Sequence, residues 1–287
     1  MTIEGTDRKA VLVTGCSSGI GRELALSLAR RGYVVFATVR TKPAAAGLRA
    51  LEIPGLIPIS PVDLTDPAQI ADSVRTVAYE LRSRGIGGLY ALVNNAGGGT
   101  PAPIELMDLE MFQREFTTRL RGSVAMVQAC LPLIRRGRGR ILWIMTPALI
   151  PTPYVASIHA CDFAVDCIAR TLEIELKAWA IPVVRIKCGG IRTPAGLRTT
   201  SDVEAVLQHG DPERVPLYAQ ALRRWGTEMA AFDRKRTPAE QVADTVLRAL
   251  AARQPKRRYS VGYMSAAARV LEALPASLAD SMLKMRF

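Results

Sequence analysis

Val11-Leu12-Val13-Thr14-Gly15-Cys16-Ser17-Ser18-Gly19-Ile20-Gly21 is the stretch that decides how this chain folds. Val11 to Val13 reads as a short buried strand, and glycines follow at positions 15, 19 and 21. Leu24 and Leu28 then recur at helical spacing, and Val34 and Val35 open a second strand. Strand, glycine turn, helix, strand is one βαβ unit. In that setting the turn lets backbone pass close to a pyrophosphate, and the helix start offers free N–H groups and a positive dipole end. A Cβ on these glycines would block either the turn or the phosphates. A glycine run is a weak signal by itself; between a strand and a helix it is a specific one.

A length of 287 residues allows one large domain or two small ones, and 49% hydrophobic residues can bury a sizeable core. The formal net charge is +12, with local runs at Arg135-Arg136-Gly137-Arg138-Gly139-Arg140 and Lys256-Arg257-Arg258. No basic motif interleaved with aromatics is present, so nucleic acid is not an expected partner. The charge reads as a solvated surface that also attracts an anionic cofactor. The five cysteines are odd in number and form no Cys-x-x-Cys, which points to buried thiols in a reducing, cytoplasmic compartment. Cys161 and Cys167 in particular read as core thiols. With only His159 and His209, no metal site is expected. The polar start of the chain lacks a signal-peptide apolar segment, and no run of about 18 apolar residues would span a membrane.

Strand and helix patterns alternate along the chain. Further strands are expected over 34–39, 56–62, 89–93, 140–145, 183–187 and 258–261, and helices over 66–84, 109–133 and 155–179. Repeated βαβ units imply an α/β fold, a single doubly wound Rossmann-type parallel sheet of about seven strands with helices on both faces. No linker or second glycine unit divides it, so residues 1–287 read as one domain. Residues 193–235 are more polar, with two or three short helices expected. They follow the sixth strand, where strand carboxyl ends form a ligand crevice, and read as a substrate cover.

Thr14 to Gly21, Asp63, Asn94-Asn95-Ala96-Gly97 and Cys188-Gly189-Gly190-Ile191-Arg192-Thr193 together resemble the short-chain dehydrogenase/reductase family, from about Lys9 to the C-terminus. Phe36-Ala37-Thr38-Val39-Arg40, Gln128-Ala129-Cys130-Leu131-Pro132 and Arg258-Tyr259-Ser260-Val261-Gly262 are most similar to its hydroxysteroid and retinol dehydrogenase branch. The resemblance implies a nicotinamide dinucleotide. Gly15, Ser17, Ser18, Gly19, Ile20 and Gly21 would hold its pyrophosphate and adenosine ribose, and Asp63 and Leu64 would meet the adenine. Asn94, Ala96 and Gly97 would back it, and Gly189 and Thr193 would lie at the nicotinamide end. A homo-oligomer, dimer or tetramer, is implied too. The ribose 2′-position can be argued from charge. A carboxylate after the second strand would bind a 2′-hydroxyl and repel a 2′-phosphate. None occurs from Phe36 to Lys42; Arg40 and Ser17 are there instead, so the expected cofactor is NADP(H).

The family's chemistry uses Asn, Ser, Tyr and Lys, the last two as Tyr-x-x-x-Lys on one helix face. The lysine stabilises a phenolate, and the tyrosine moves the proton that accompanies hydride transfer. Counting from the flanking motifs places Ile158 at the tyrosine, Asp162 at the lysine and Arg119 at the asparagine. The serine position falls on Met145 or Thr146, and Thr146 keeps a hydroxyl. A rival register matches Tyr154-Val155-Ala156-Ser157-Ile158 to the motif, with Ile158 at the lysine. Neither register supplies a lysine. Arg119 and Asp162 depart from the pattern together, which predicts a compensating ion pair. Tyr154 could still aim its hydroxyl into the site, with His159 second. His159 lies about 100° round the helix from the Ile158–Asp162 face and reads as packed or exposed. Asp166 is one more polar group nearby.

Two functions stay open. One is a divergent NADP(H)-dependent oxidoreductase acting on a lipophilic, polyketide- or steroid-like small molecule. Ordinary ketone reduction would be slow, and non-redox cyclisation, isomerisation or elimination would be within reach. The other is a non-catalytic pseudoenzyme that binds NADP(H) or a small ligand as a sensor or partner. The tail 271–287, with Lys284 and Arg286, reads as a packed helix rather than a membrane-surface segment.

Overall fold

The computed structural model describes residues 8–147 and 151–284; the end of the tail, with Arg286, lies outside them. Its strands are β1 (Ala10–Val13), β2 (Val34–Thr38), β3 (Leu56–Ile59), β4 (Ala91–Asn94), β5 (Arg140–Met145), β6 (Val183–Cys188) and β7 (Arg258–Val261). All pair in parallel, in the order β3-β2-β1-β4-β5-β6-β7. The chain reverses direction across the sheet between β1 and β4, which opens a crevice at their carboxyl ends. The helices are α1 (Gly19–Arg30), α2 (Lys42–Arg49), α3 (Pro67–Ser83), α4 (Leu109–Phe116), α5 (Ser123–Arg136), α6 (Ala156–Glu175), α7 (Thr199–His209), α8 (Val215–Asp233), α9 (Glu240–Ala251), α10 (Ser265–Leu271) and α11 (Ala276–Lys284). The expected α/β fold with a seven-stranded sheet is the one observed.

Strand alternation sorts the side chains to two cores. Val11, Val13, Val35 and Ala37 join Leu24 and Leu28 of α1 and Val242 and Val246 of α9 on one face. Leu12, Phe36 and Leu92 join Val74 and Val77 of α3, Met126 of α5 and Val165 of α6 on the other. Several helix starts are set by local chemistry. Asp66 caps α3 through the N–H groups of Ala68 and Gln69, and Asp108 caps α4 through Glu110 and Met111.

The structure departs from the sequence reading in places that matter for the site. The helix expected over 109–133 is α4 and α5 joined by a π-helical turn, Thr117–Gly122. Such turns are rare and re-aim side chains. Gly122 at its end packs against Leu64, whose carbonyl oxygen a Cβ there would strike. β3 stops at Ile59, short of the expected 62, because Pro61 has no N–H for the ladder. The cover contains α8, a helix of 19 residues rather than a short one. Arg140 is not part of the solvated surface. It is buried, stacks on Tyr90 and donates to the Ala249 and Ala252 carbonyls, both at 2.8 Å. Cys167 is exposed, not core, on the outward face of α6 that also carries Phe163.

Candidate active site

Helix α1 begins without a side-chain cap from Ser18 and without an acidic residue in its first turn. Its N–H groups and positive dipole end are therefore left for an anion. Gly15 and Gly19 adopt left-handed φ of 71° and 56°, which favours glycine. A Cβ on Gly21 would strike the Gly15 carbonyl and the Asn95 amide. The Thr14 hydroxyl accepts from the N–H of Asn95 at 2.9 Å and of Ala96 at 3.0 Å, which locks the glycine loop to the end of β4. Asn95 in turn donates its amide to the carbonyls of Thr14 and Gly15. Ser17, Ser18 and Arg40 are exposed around this loop. The Thr193 side chain closes over it, 3.3 Å from where a Gly19 Cβ would be.

Asp63 lies beside the same crevice, with Leu64 buried behind it. Burial alone would raise the Asp63 carboxyl. The Thr65 N–H and hydroxyl, at 2.9 and 2.8 Å, and the charges of Arg114 and Arg40 outweigh it and hold the group below its usual range. Asn94 is buried with neither amide atom hydrogen-bonded. Gly97 lies against the Arg119 side chain, and Gly189 against the Tyr263 carbonyl. The open, cationic helix start, the glycine cradle and Arg40 fit a dinucleotide phosphate.

Across the crevice, Asp162 is the hub. Its Oδ2 accepts from the Thr146 N–H at 2.7 Å and the Thr146 hydroxyl at 2.8 Å, and its Oδ1 stands 2.6 Å from Arg119 Nη1. The Asp162 side chain is 2% exposed and that of Arg119 is 16%. The ion pair expected from their joint departure is present and direct. Burial works against the Arg119 charge, but the Asp162 carboxylate beside it outweighs this and keeps the guanidinium ionised. Arg119 sits in the π-helical turn, donates Nε–H to Gly98 O at 3.2 Å and faces Glu115 Oε1 at 3.3 Å. Below, Arg119 and Asp162 border a cavity of ≈ 10 Å³ with Asn94 and Trp143.

Ile158 and Asp162 lie one turn apart on α6. Tyr154 lies outside that helix, with a left-handed φ of 65°. The Tyr154–Ile158 spacing is therefore not a helical one. The Tyr154 ring packs edge-on against Trp225 of α8, with centroids 5.5 Å apart. His159 is half-buried. Asp166 turns towards β6, where Lys187 Nζ is 2.7 Å from Oδ1 and Arg185 3.5 Å from Oδ2. That contact with Lys187 is ionic without hydrogen-bond alignment. Met145 is core, so the hydroxyl at the end of β5 is that of Thr146.

A family model described as short chain dehydrogenase matches residues 9–204. The chain belongs to the short-chain dehydrogenase family. The chain is 32% identical to estradiol 17-beta-dehydrogenase 2 of Rattus norvegicus over 98% of its own length and 75% of that protein. It is 31% identical to the uncharacterized oxidoreductase YbbO of Escherichia coli (strain K12), over 96% and 94% of the two chains. Its relatives place it on the hydroxysteroid-like side of the family. Among solved structures, a short-chain dehydrogenase from Streptomyces avermitilis superposes with a TM-score of 0.71, at 23% identity, over 99% of each chain. An alcohol dehydrogenase from Thermococcus sibiricus complexed with 5-hydroxy-NADP superposes with a TM-score of 0.68, at 19% identity, over 89% of this chain and 97% of that one. Both show the shared fold. No helix among the described residues is long and apolar enough to cross a membrane.

Sequence reasoning missed three residues of this short-chain dehydrogenase. Glu115 was legible as the residue four before Arg119 on one helix, a spacing that brings side chains together. Trp225 and Lys187 carry no local signal, since their partners lie far away in the chain.

Proposed function

We propose that this short-chain dehydrogenase binds NADP(H) at the β1–β4 crevice and acts on a lipophilic, steroid- or polyketide-like small molecule without the family's tyrosine–lysine relay. The observation that carries the reading is the Asp162 hub. A buried anion tied to Arg119 and Thr146 stands one turn from Ile158, where the resemblance puts the lysine. NADPH, when bound, supplies hydride. The Thr14–Gly21 loop would hold its pyrophosphate, and Arg40 with Ser17 would face the 2′-phosphate. Reduction of a ketone leaves charge on oxygen, and a placed acid typically contributes 10²–10⁴-fold there. Ile158 has no proton to give, so ordinary ketones and secondary alcohols turn over slowly.

Other observations support the parts of this reading. Tyr154 and Val155 pack with Val203, Leu222 and Trp225, so an apolar cluster holds the cover helices over the crevice side of the sheet. The hydroxysteroid dehydrogenases among the relatives point to a lipophilic ligand. Phe163 and Ile174 are exposed along α6, at 53% and 75%, a face suited to a homo-oligomer. Buried free thiols at Cys16, Cys130, Cys161 and Cys188 suit a reducing, cytoplasmic setting. The test is a fluorescence titration with both dinucleotides. One charge-assisted bond to the 2′-phosphate is worth about 1.5–3 kcal/mol, so NADPH should bind at least about tenfold more tightly than NADH. Equal affinities, or binding of neither, would falsify the cofactor assignment.

A further inference from the structure

Resting on that reading of the pocket, we propose that Glu115 is the proton-carrying acid of this site: a neutral carboxylic acid placed to hand its proton to the carbonyl oxygen of a lipophilic ligand. Glu115 belongs to α4, outside every motif of the family pattern, and its side chain is 7% exposed. It stands beside the residue at the tyrosine position. A Cβ on Gly99 would strike Ile158 Cγ1 and lie 2.5 Å from Glu115 Oε1. The carboxyl, Ile158 and the Gly99 backbone therefore meet at one point.

Counting charges fixes which acid holds the proton. Two buried carboxylates, Glu115 and Asp162, share one cation, Arg119. Asp162 accepts three short bonds, one of them from a guanidinium, so both of its oxygens are fully partnered. Glu115 has far less. The Arg119 Nε–H goes to Gly98 O, and Glu115 Oε1 is buried with no hydrogen bond. Ser157 of α6 hydrogen-bonds the Glu115 carboxyl, and Cys161 of the same helix also faces it. Burial, with Glu115 itself, holds the Cys161 thiol neutral, pushed up to about 12. Burial, and then Asp162, raise the Glu115 carboxyl, and Arg119 and Ser157 offset this only in part.

The step balances. A nicotinamide cofactor, when bound, would supply the hydride for a new C–H bond at the carbonyl carbon, breaking its own C–H bond and ending oxidised. The C=O π electrons would move to oxygen, and that oxygen would take the proton from Glu115. The carboxylate left behind would lie beside the Arg119 guanidinium, and a proton taken up from solvent would reload it.

The test uses infrared spectroscopy of the whole protein at pH 7 with a steroidal ketone as probe, alongside NADPH oxidation. A neutral-acid carbonyl stretch should be present, vanish in Glu115→Gln and shift when the ketone is added without cofactor. Slow ketone turnover should fall at least about tenfold further in Glu115→Gln, with NADPH affinity unchanged, and recover in part in Glu115→Asp. An absent band, a band unmoved by saturating ketone, or a Glu115→Gln variant as active as the parent overturns the proposal. Failure of the NADP(H) reading looks different: no dinucleotide binds, while the band still answers to the ketone.

Discussion

Removing the Asp162 carboxylate should destabilise the floor of the pocket. Its oxygens take three donors: Arg119 Nη1, the Thr146 N–H and the Thr146 hydroxyl. Breaking a buried ion pair by deleting one partner costs about 3–5 kcal/mol. Two features place Asp162→Ala at the low end, about 3 kcal/mol. Glu115 stands 3.3 Å from Arg119 and can ionise once Asp162 is gone, and Arg119 is 16% exposed, so water reaches it. Asp162→Ala with Arg119→Ala removes the stranded cation but leaves the Thr146 N–H unpaired, at about 1–3 kcal/mol. The two changes should therefore couple by at least about 1 kcal/mol in a double-mutant cycle. The assay is urea unfolding at pH 7 without cofactor, read from midpoints at constant slope. If single and double variants are equally mild, each within about 0.5 kcal/mol of the parent, the pair is not what holds this floor together.

Two further outcomes follow from the same geometry. Because the folded-state Glu115 carboxyl is raised above its unfolded value, its contribution to stability is full below the ordinary glutamate range. It is lost as pH rises through the folded value; Glu115→Gln should flatten that decline, as thermal unfolding against pH would show. Gly21→Ala should abolish NADPH binding or folding, since its Cβ meets the Gly15 carbonyl and the Asn95 amide; a folded variant with parental NADPH affinity in the fluorescence titration counts against the loop geometry.

The sheet and the glycine loop were legible because their signals are local. The Val11–Gly21 strand, turn and helix start are contiguous, and Gly15 and Gly21 answer to contacts within the loop or with Asn95 and Ala96, while Gly19 meets the distant Thr193. The Arg119–Asp162 pair was legible for another reason: two charges replaced two family residues that lie close in space. What escaped depends on helix irregularity and on long-range packing. The π-helical turn that carries Arg119 has no periodic signature. Tyr154 read as the nearest available phenol, but its left-handed backbone and Trp225, 71 residues on, take its ring to the cover. Arg140 looked like one more surface arginine in a run until Ala249 of α9 and Ala252 just beyond it supplied two carbonyls for it.

The central claim is that the pocket keeps its dinucleotide and has lost the tyrosine-dependent relay. NADPH oxidation at saturating cofactor, against a panel of lipophilic ketones with the parent protein and Tyr154→Phe, tests it most directly. Slow turnover that Tyr154→Phe leaves unchanged is the expected result. Brisk ketone reduction that Tyr154→Phe abolishes would contradict it, and would make Tyr154 the acid of this site.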